Sequence, residues 1–149
     1  MVKKKSPEKS KISVKPKTRT STKTKGSSGA TADFAVTFAK LRGVMSAFAP
    51  ELRVTVDEPH KYYVVTQSNS WRGGPMYFGA VMQGKAYVSY HLMPLYVCPE
   101  LVKAVPPTLK KRMQGKACFN FRAPDDALFK ELRELSQLGL NKYKSKKWL

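Results

Sequence analysis

Acidic residues are scarce in this chain: ten Asp and Glu stand against 28 Lys and Arg in 149 residues, for a formal net charge of +18. A surface so poor in carboxylates offers little to hard cations, which want oxygen ligands, and favours polyanionic partners instead. Cysteine is scarcer still. Cys98 and Cys118 are the only two and stand in no CxxC spacing, which argues against a disulfide framework and suits a reducing interior. The two histidines, His60 and His91, lie outside the separation of about two to four residues typical of preformed metal sites, from each other and from either cysteine. No metal site and no cofactor are therefore expected. Paired carboxylates and a nucleophile with a base at a recognised spacing are also missing, so no catalytic residue is expected and the chain reads as non-enzymatic. No apolar run approaches the roughly 18 residues of a membrane span, and no apolar segment of signal-peptide type follows the basic start, so no membrane partner is expected.

Lysine is abundant and unevenly placed. Residues 1–31 hold ten Lys and Arg against Glu8 alone, half the net charge in a fifth of the chain. Beyond Met1 their only aliphatic residues are Val2, Ile12, Val14 and Ala30, too few to offset the chain entropy of folding, so this segment reads as a disordered basic tail rich in Lys, Ser, Thr and Pro. The run KPKTRTSTKTK suits a solvated collector of polyanions. Lys3, Lys4, Lys5, Lys15, Lys17, Arg19, Lys23 and Lys25 are candidate nonspecific nucleic-acid contacts. Lys144, Lys146 and Lys147 join them at the other end, where Tyr143 and Trp148 interleave with the cations and are candidates for stacking on bases. The expected organisation is a tail over 1–31, one domain over 32–140 and a basic aromatic extension over 141–149. A basic, Ser/Thr-rich, acid-poor start also fits a mitochondrial transit peptide, against which stands its lack of an apolar helical face.

Within the domain, apolar period and turn residues define the elements. Phe34, Phe38, Leu41, Met45 and Phe48 recur at helical spacing, with Thr31 or Asp33 as the cap and Pro50 as the stop. Leu52 to Val56 and Tyr62 to Thr66 alternate and are β-branched or aromatic, with a turn at Asp57-Glu58-Pro59 between them. A second hairpin is expected from Pro75 to Met82 and Ala86 to Leu92, turning at Gln83-Gly84-Lys85, with Ala86, Val88, Tyr90 and Leu92 on one face and Tyr87, Ser89 and His91 on the other. Pro99 to Val105 reads as a short helix, Thr108 to Gln114 as a basic helix stopped by Gly115, and Ala117 to Phe121 as a strand with Cys118 and Asn120 on one face. Asp125 then caps a last helix through Leu128, Phe129, Leu132 and Leu135, ended by Gly139. The fold class is α+β, an antiparallel sheet of about five strands with helices packed on one face.

Two places bear on function. In the loop Trp71-Arg72-Gly73-Gly74-Pro75 the glycines permit a tight backbone while Trp71 and Arg72 set a flat ring beside a planar cation, a pairing that suits an aromatic or anionic ligand. Tyr77, Tyr87 and His91 line the adjoining sheet face if the hairpin register pairs them. The alternative is that Trp71 plugs one end of the sheet as a packing anchor. Cys118 has Lys116 and Arg122 near it to favour a thiolate, although a strand cysteine between aromatics is more often packing.

The ordered block of leading helix, Trp71…Pro75 loop, YFGAVMQGKAYVSYHL hairpin, Pro-containing insertion, GKACFNF and closing helix with Leu132 and Leu135 resembles the YdhG-like bacterial domains of unknown function. The resemblance covers about Asp33 to Leu140 and implies a frataxin-like fold in a small cytoplasmic bacterial protein. It also implies, as the alternative function, iron binding or iron chaperoning through carboxylates on the first helix and the strand after it. Here that surface offers Asp33, Glu51, Asp57 and Glu58 among Lys40 and Arg42. The function expected first is a binding module that takes a small ligand or a protein at Trp71, Arg72, Tyr77, Tyr87 and His91, with basic ends adding nonspecific affinity for nucleic acid.

Overall fold

The stripe at Phe38, Leu41, Met45 and Phe48 ends up where its spacing demands, with all four side chains no more than 6% exposed. The computed structural model describes residues 33–149, so the basic tail and its candidate contacts from Lys3 to Lys25 lie outside the described residues. Helix α1 spans residues 33–46, which makes Asp33 already helical rather than a cap, and Thr31 is not among the described residues. Pro50 falls in the 3₁₀ turn Ala49–Glu51 that follows.

Six strands then build one antiparallel sheet in the order β1-β2-β3-β4-β6-β5. They are β1 Leu52–Glu58, β2 Lys61–Thr66, β3 Tyr77–Gln83, β4 Val88–Leu92, β5 Met113–Gln114 and β6 Cys118–Phe121. The first connection is tighter than expected: β1 runs on to Glu58, opposite Lys61, and Pro59-His60 alone makes the turn. The second is wider. Gln83 pairs with Val88 and the Gly84 N–H donates to the Tyr87 carbonyl, which leaves Ala86 exposed and Tyr87 in the connection rather than on the strand. A bulge interrupts the β2–β3 register, where Val64 pairs with Gly79 but Val65 with Tyr77. The extra residue, Phe78, is fully buried against Phe48 and Tyr143.

Between β4 and β6 the chain makes α2 Pro94–Val97, a 3₁₀ segment Pro99–Ala104 and α3 Pro107–Lys110. The basic helix expected over Thr108 to Gln114 therefore lasts a single turn. Met113 and Gln114 instead pair with Phe119 and Cys118, and Gly115 at φ 74° starts the turn between them. The sheet gains a sixth strand by this edge hairpin. The last helix, α4 Asp126–Ser145, begins under the expected cap, with the Leu128 N–H donating to Asp125 Oδ1 at 3.1 Å. It does not stop at Gly139. That glycine lets α4 lie against α2, because a Cβ there would stand 2.8 Å from Pro94 Cβ and Cγ. The helix carries Leu140 and Tyr143, both fully buried, past the boundary expected at residue 140, so much of the presumed extension belongs to the fold.

One sheet face holds the core. Val64, Val88, Tyr90, Leu92 and Phe119 lie on it, each fully buried, and α1 and α4 cover it: the Tyr90 hydroxyl meets α4 at Ser136 Oγ (2.7 Å) and approaches Met45 Sδ of α1 (3.8 Å). Ser136 donates in turn to the Leu132 carbonyl, so it accepts the Tyr90 hydrogen and every member of the buried polar chain has a partner. The segments α2 and α3 contact α4 as well. Among the described residues the helices gather on the Tyr90 side and leave the other sheet face without one.

Candidate functional site

The uncovered face takes every second residue of the central strands. Register aligns Tyr63 of β2 with Ala80 of β3, Ala80 with His91 of β4, and His91 with Cys118 of β6, a row running straight across four strands. Ala80 is its only small member and is fully covered, closed over by the rings around it. Those rings are Tyr63, His91 and Tyr77, the last pointing to this face because the bulge at Phe78 resets the alternation. Tyr77 stands 6.4 Å from Tyr63, edge-on, and 5.6 Å from His91 at a tilt of 30°. The Tyr63 hydroxyl donates to Met82 Sδ at 3.1 Å.

The polar contact of this row is His91 Nδ1 to Cys118 Sγ, 2.7 Å. Both groups are half-buried, and burial moves them in opposite directions: the imidazolium is disfavoured, so His91 titrates below its ordinary value, and the thiolate is disfavoured, so Cys118 titrates above its own. The resting pair is thus a neutral thiol beside a neutral imidazole, and in the tautomer with its hydrogen on Nε2 the imidazole accepts the thiol hydrogen at Nδ1. Burial, with smaller effects from Tyr63 and Cys118, also raises Tyr77 well above the usual phenol range, so its hydroxyl keeps its proton. In a chain of net charge +18 the row Tyr63–Ala80–His91–Cys118 carries no formal charge at all. It is bordered by cations, Lys61 at the end of β2, Lys116 in the turn before Cys118 and Arg122 after Phe121.

Comparison with family models, curated proteins and solved structures finds no match. The functional reading rests on the geometry of the site itself.

Of the five ligand-binding residues expected from sequence, the structure brings together Tyr77 and His91. Tyr87 sits in the β3–β4 connection, four residues along the chain from His91, or about 13 Å at the rise of a strand. Trp71 and Arg72 are engaged elsewhere. Trp71 and Gly74 exchange backbone hydrogen bonds across Arg72 (φ 50°) and Gly73 (φ 84°), the two positive values that a type I′ turn requires. The Trp71 ring then packs edge-on against Trp148 at 5.0 Å, and Trp148 against Tyr143 at 5.3 Å, while the Arg72 guanidinium lies 5.4 Å over the Trp71 ring. This is the packing-anchor arrangement, and it also employs the C-terminal aromatics expected to stack on bases. Tyr143 is fully buried and donates its hydroxyl hydrogen to the Tyr77 carbonyl at 2.9 Å. Lys144 is ion-paired with Glu51, the Lys146 ammonium lies 5.3 Å over the Trp148 ring, and Lys147 adopts φ 57° where the chain turns back.

Sequence reasoning missed Tyr63 and the partnership of His91 with Cys118. The signal was present in part: both residues fall on the faces opposite Tyr90 and Phe119. What it lacked was the adjacency of β4 and β6, which lie 26 residues apart at their near ends across the helical insertion. Two surface depressions lie elsewhere, one edged by Glu51, Gln67, Ser68 and Leu149, the other beneath Thr108, whose hydroxyl donates to the Glu131 carboxylate at 2.7 Å.

Proposed function

We propose that this chain is a non-enzymatic binding module whose uncovered sheet face receives a small planar ligand or the apolar patch of a protein. The observation that carries this reading is the uncharged row Tyr63–Ala80–His91–Cys118 with Tyr77 beside it, on the one sheet face that no described helix covers. Aromatic side chains held by a sheet lose little entropy on binding and present apolar area with fixed polar tips. The basic ends, above all the ten cations of residues 1–31, add salt-sensitive affinity for nucleic acid. A YdhG-like, frataxin-like kinship and a cytoplasmic setting belong to the same reading; the ordered block of helix, sheet, insertion and closing helix supports the kinship. No helix among the described residues is long and apolar enough to cross a membrane.

The metal-carrier alternative gains no support from the geometry. Asp57 is ion-paired with Arg42 at 2.5 Å and Glu51 with Lys144, so two acids next to α1 already have cations. Among the described residues no three His, Cys, Asp or Glu side chains gather as a metal ion needs.

A fluorescence titration with anilinonaphthalene sulfonate, a flat aromatic anion, tests the platform. Losing one ring contact of about 0.5–1.5 kcal/mol should weaken binding about two- to tenfold in Tyr77→Ala. Arg72→Ala should bind as the parent does. Equal affinity for the parent and Tyr77→Ala would remove the platform from consideration.

A further inference from the structure

We propose that His91 and Cys118 form a base-assisted thiol that captures a planar α,β-unsaturated carbonyl compound on the open sheet face as a thioether, a deepening that rests on the platform reading above. Three observations converge on it. The Nδ1 to Sγ contact of 2.7 Å is set by strand register and not by two flexible chains meeting at a surface, since His91 and Cys118 are directly paired residues of β4 and β6. The partners are half-buried and therefore reachable. Finally, the Tyr77 ring lies 5.6 Å from His91 at a tilt of 30°, which offers a flat conjugated molecule a ring to lie against while its reactive carbon faces the thiol.

The molecule contains its own contrast. Cys98 is 1% exposed, and its thiol is pushed up first by burial and then by Glu100. It has the same chemistry without the access. Cys118 alone combines a base at bonding distance with an open face.

The step balances without a second reactant. The sulfur lone pair forms a C–S bond at the β-carbon, the C=C π pair moves onto the carbonyl to give an enolate, and the thiol proton passes to His91 Nδ1. The imidazolium then returns that proton to the α-carbon. Nothing is oxidised or reduced, and the reverse elimination releases the ligand and restores the thiol. Tyr77, whose hydroxyl stays protonated, is the donor on this face for the enolate oxygen. Capture is stoichiometric, which fits a binding module better than a turnover enzyme.

A thiol that must first ionise in solution reacts about tenfold faster for each pH unit below its pKa, because only the thiolate attacks. A thiol whose proton is taken by an adjacent neutral imidazole does not follow that rule once the imidazole is neutral. The titratable groups facing the pair are Tyr77 from β3 and Tyr63 from β2; β5 presents uncharged Gln114 beside Cys118, and Lys116 and Arg122 flank it along the chain. Tyr77, raised by burial, keeps its proton across the working range.

The test is the rate of alkylation of the full chain by N-methylmaleimide, a small planar acceptor, followed by intact mass and peptide mapping from about pH 7 to pH 8.5. Expected is a single adduct at Cys118 with Cys98 spared, and a parent rate that changes less than about threefold while His91→Gln climbs about thirtyfold. A parent rate that itself climbs tenfold per unit overturns the inference without reference to any variant, as does preferential labelling of Cys98. Cys118→Ser, which cannot be alkylated, separates the two readings: dye binding kept there alongside a steep parent profile removes the covalent step and leaves the platform.

Discussion

His91 owes its neutral state to burial, and that has a consequence for stability as well as for chemistry. Its titration is depressed in the folded chain, so the unfolded chain binds the proton more readily and stability rises with pH across that window. The contribution is present above the unfolded histidine value of about 6.5 and is lost as pH falls through the lower folded value. Thermal unfolding followed from about pH 7.5 down to pH 5 should show a falling midpoint that His91→Gln flattens, and parallel curves would refute the assignment. At this scale the sequence was half legible. Alternation put His91 opposite Tyr90 and Cys118 opposite Phe119, yet the 2.7 Å contact between them depends on which strands are neighbours. Trp71 shows the opposite case: its loop chemistry was readable, and its partner Trp148, 77 residues away, was not.

Helix α4 is where local rules and packing part company. Its start obeys a local rule, and Asp125→Ala should cost about 1 kcal/mol by leaving the Leu128 N–H without its acceptor, measurable as a lower urea midpoint. Its continuation through Gly139 does not. Propensity alone would reward Gly139→Ala by about 1 kcal/mol, whereas the new Cβ would meet the rigid Pro94 ring at 2.8 Å. The clash wins, because overpacking a tight helix crossing costs about 1–3 kcal/mol and a proline ring has no rotamer to yield. Gly139→Ala should therefore unfold at lower urea than the parent; a higher midpoint would show that α2 gives way. The edge hairpin β5–β6 is the same lesson in reverse. Leu109 to Gln114 are all good helix formers, but Met113 lies opposite Phe119 in the sheet, and pairing with an existing strand outweighs one more turn of a short exposed helix.

For the whole molecule, the C-terminal residues act as a clasp rather than an extension. Trp148 bridges Trp71 and Tyr143, and its carbonyl accepts from Ser68 Oγ at 2.9 Å, so the chain end ties the β2–β3 loop to α4. Trp148→Ala should lower stability by about 1–3 kcal/mol, less than a fully buried tryptophan would, and should lower the calorimetric midpoint. A chain lacking residues 1–31 should lose its salt-dependent retention on DNA while keeping dye binding, because that segment concentrates half the net charge in a fifth of the chain and the platform lies outside it; undiminished retention would place the polyanion site in the domain. The sequence by itself determined the α+β class, the core stripe of α1, the paired alternation of β1 to β4, the Asp125 cap and the division of charge between tail and domain. These follow from near neighbours along the chain, where residue period and capping chemistry act within a few residues. Only the tertiary structure decided that β4 lies beside β6, that Gly139 is a crossing point, that Trp71 belongs to Trp148, and that a thiol and an imidazole 27 residues apart meet on an open sheet face. Each depends on long-range packing, whose energy is set by the partner's shape, and no local pattern encodes that shape.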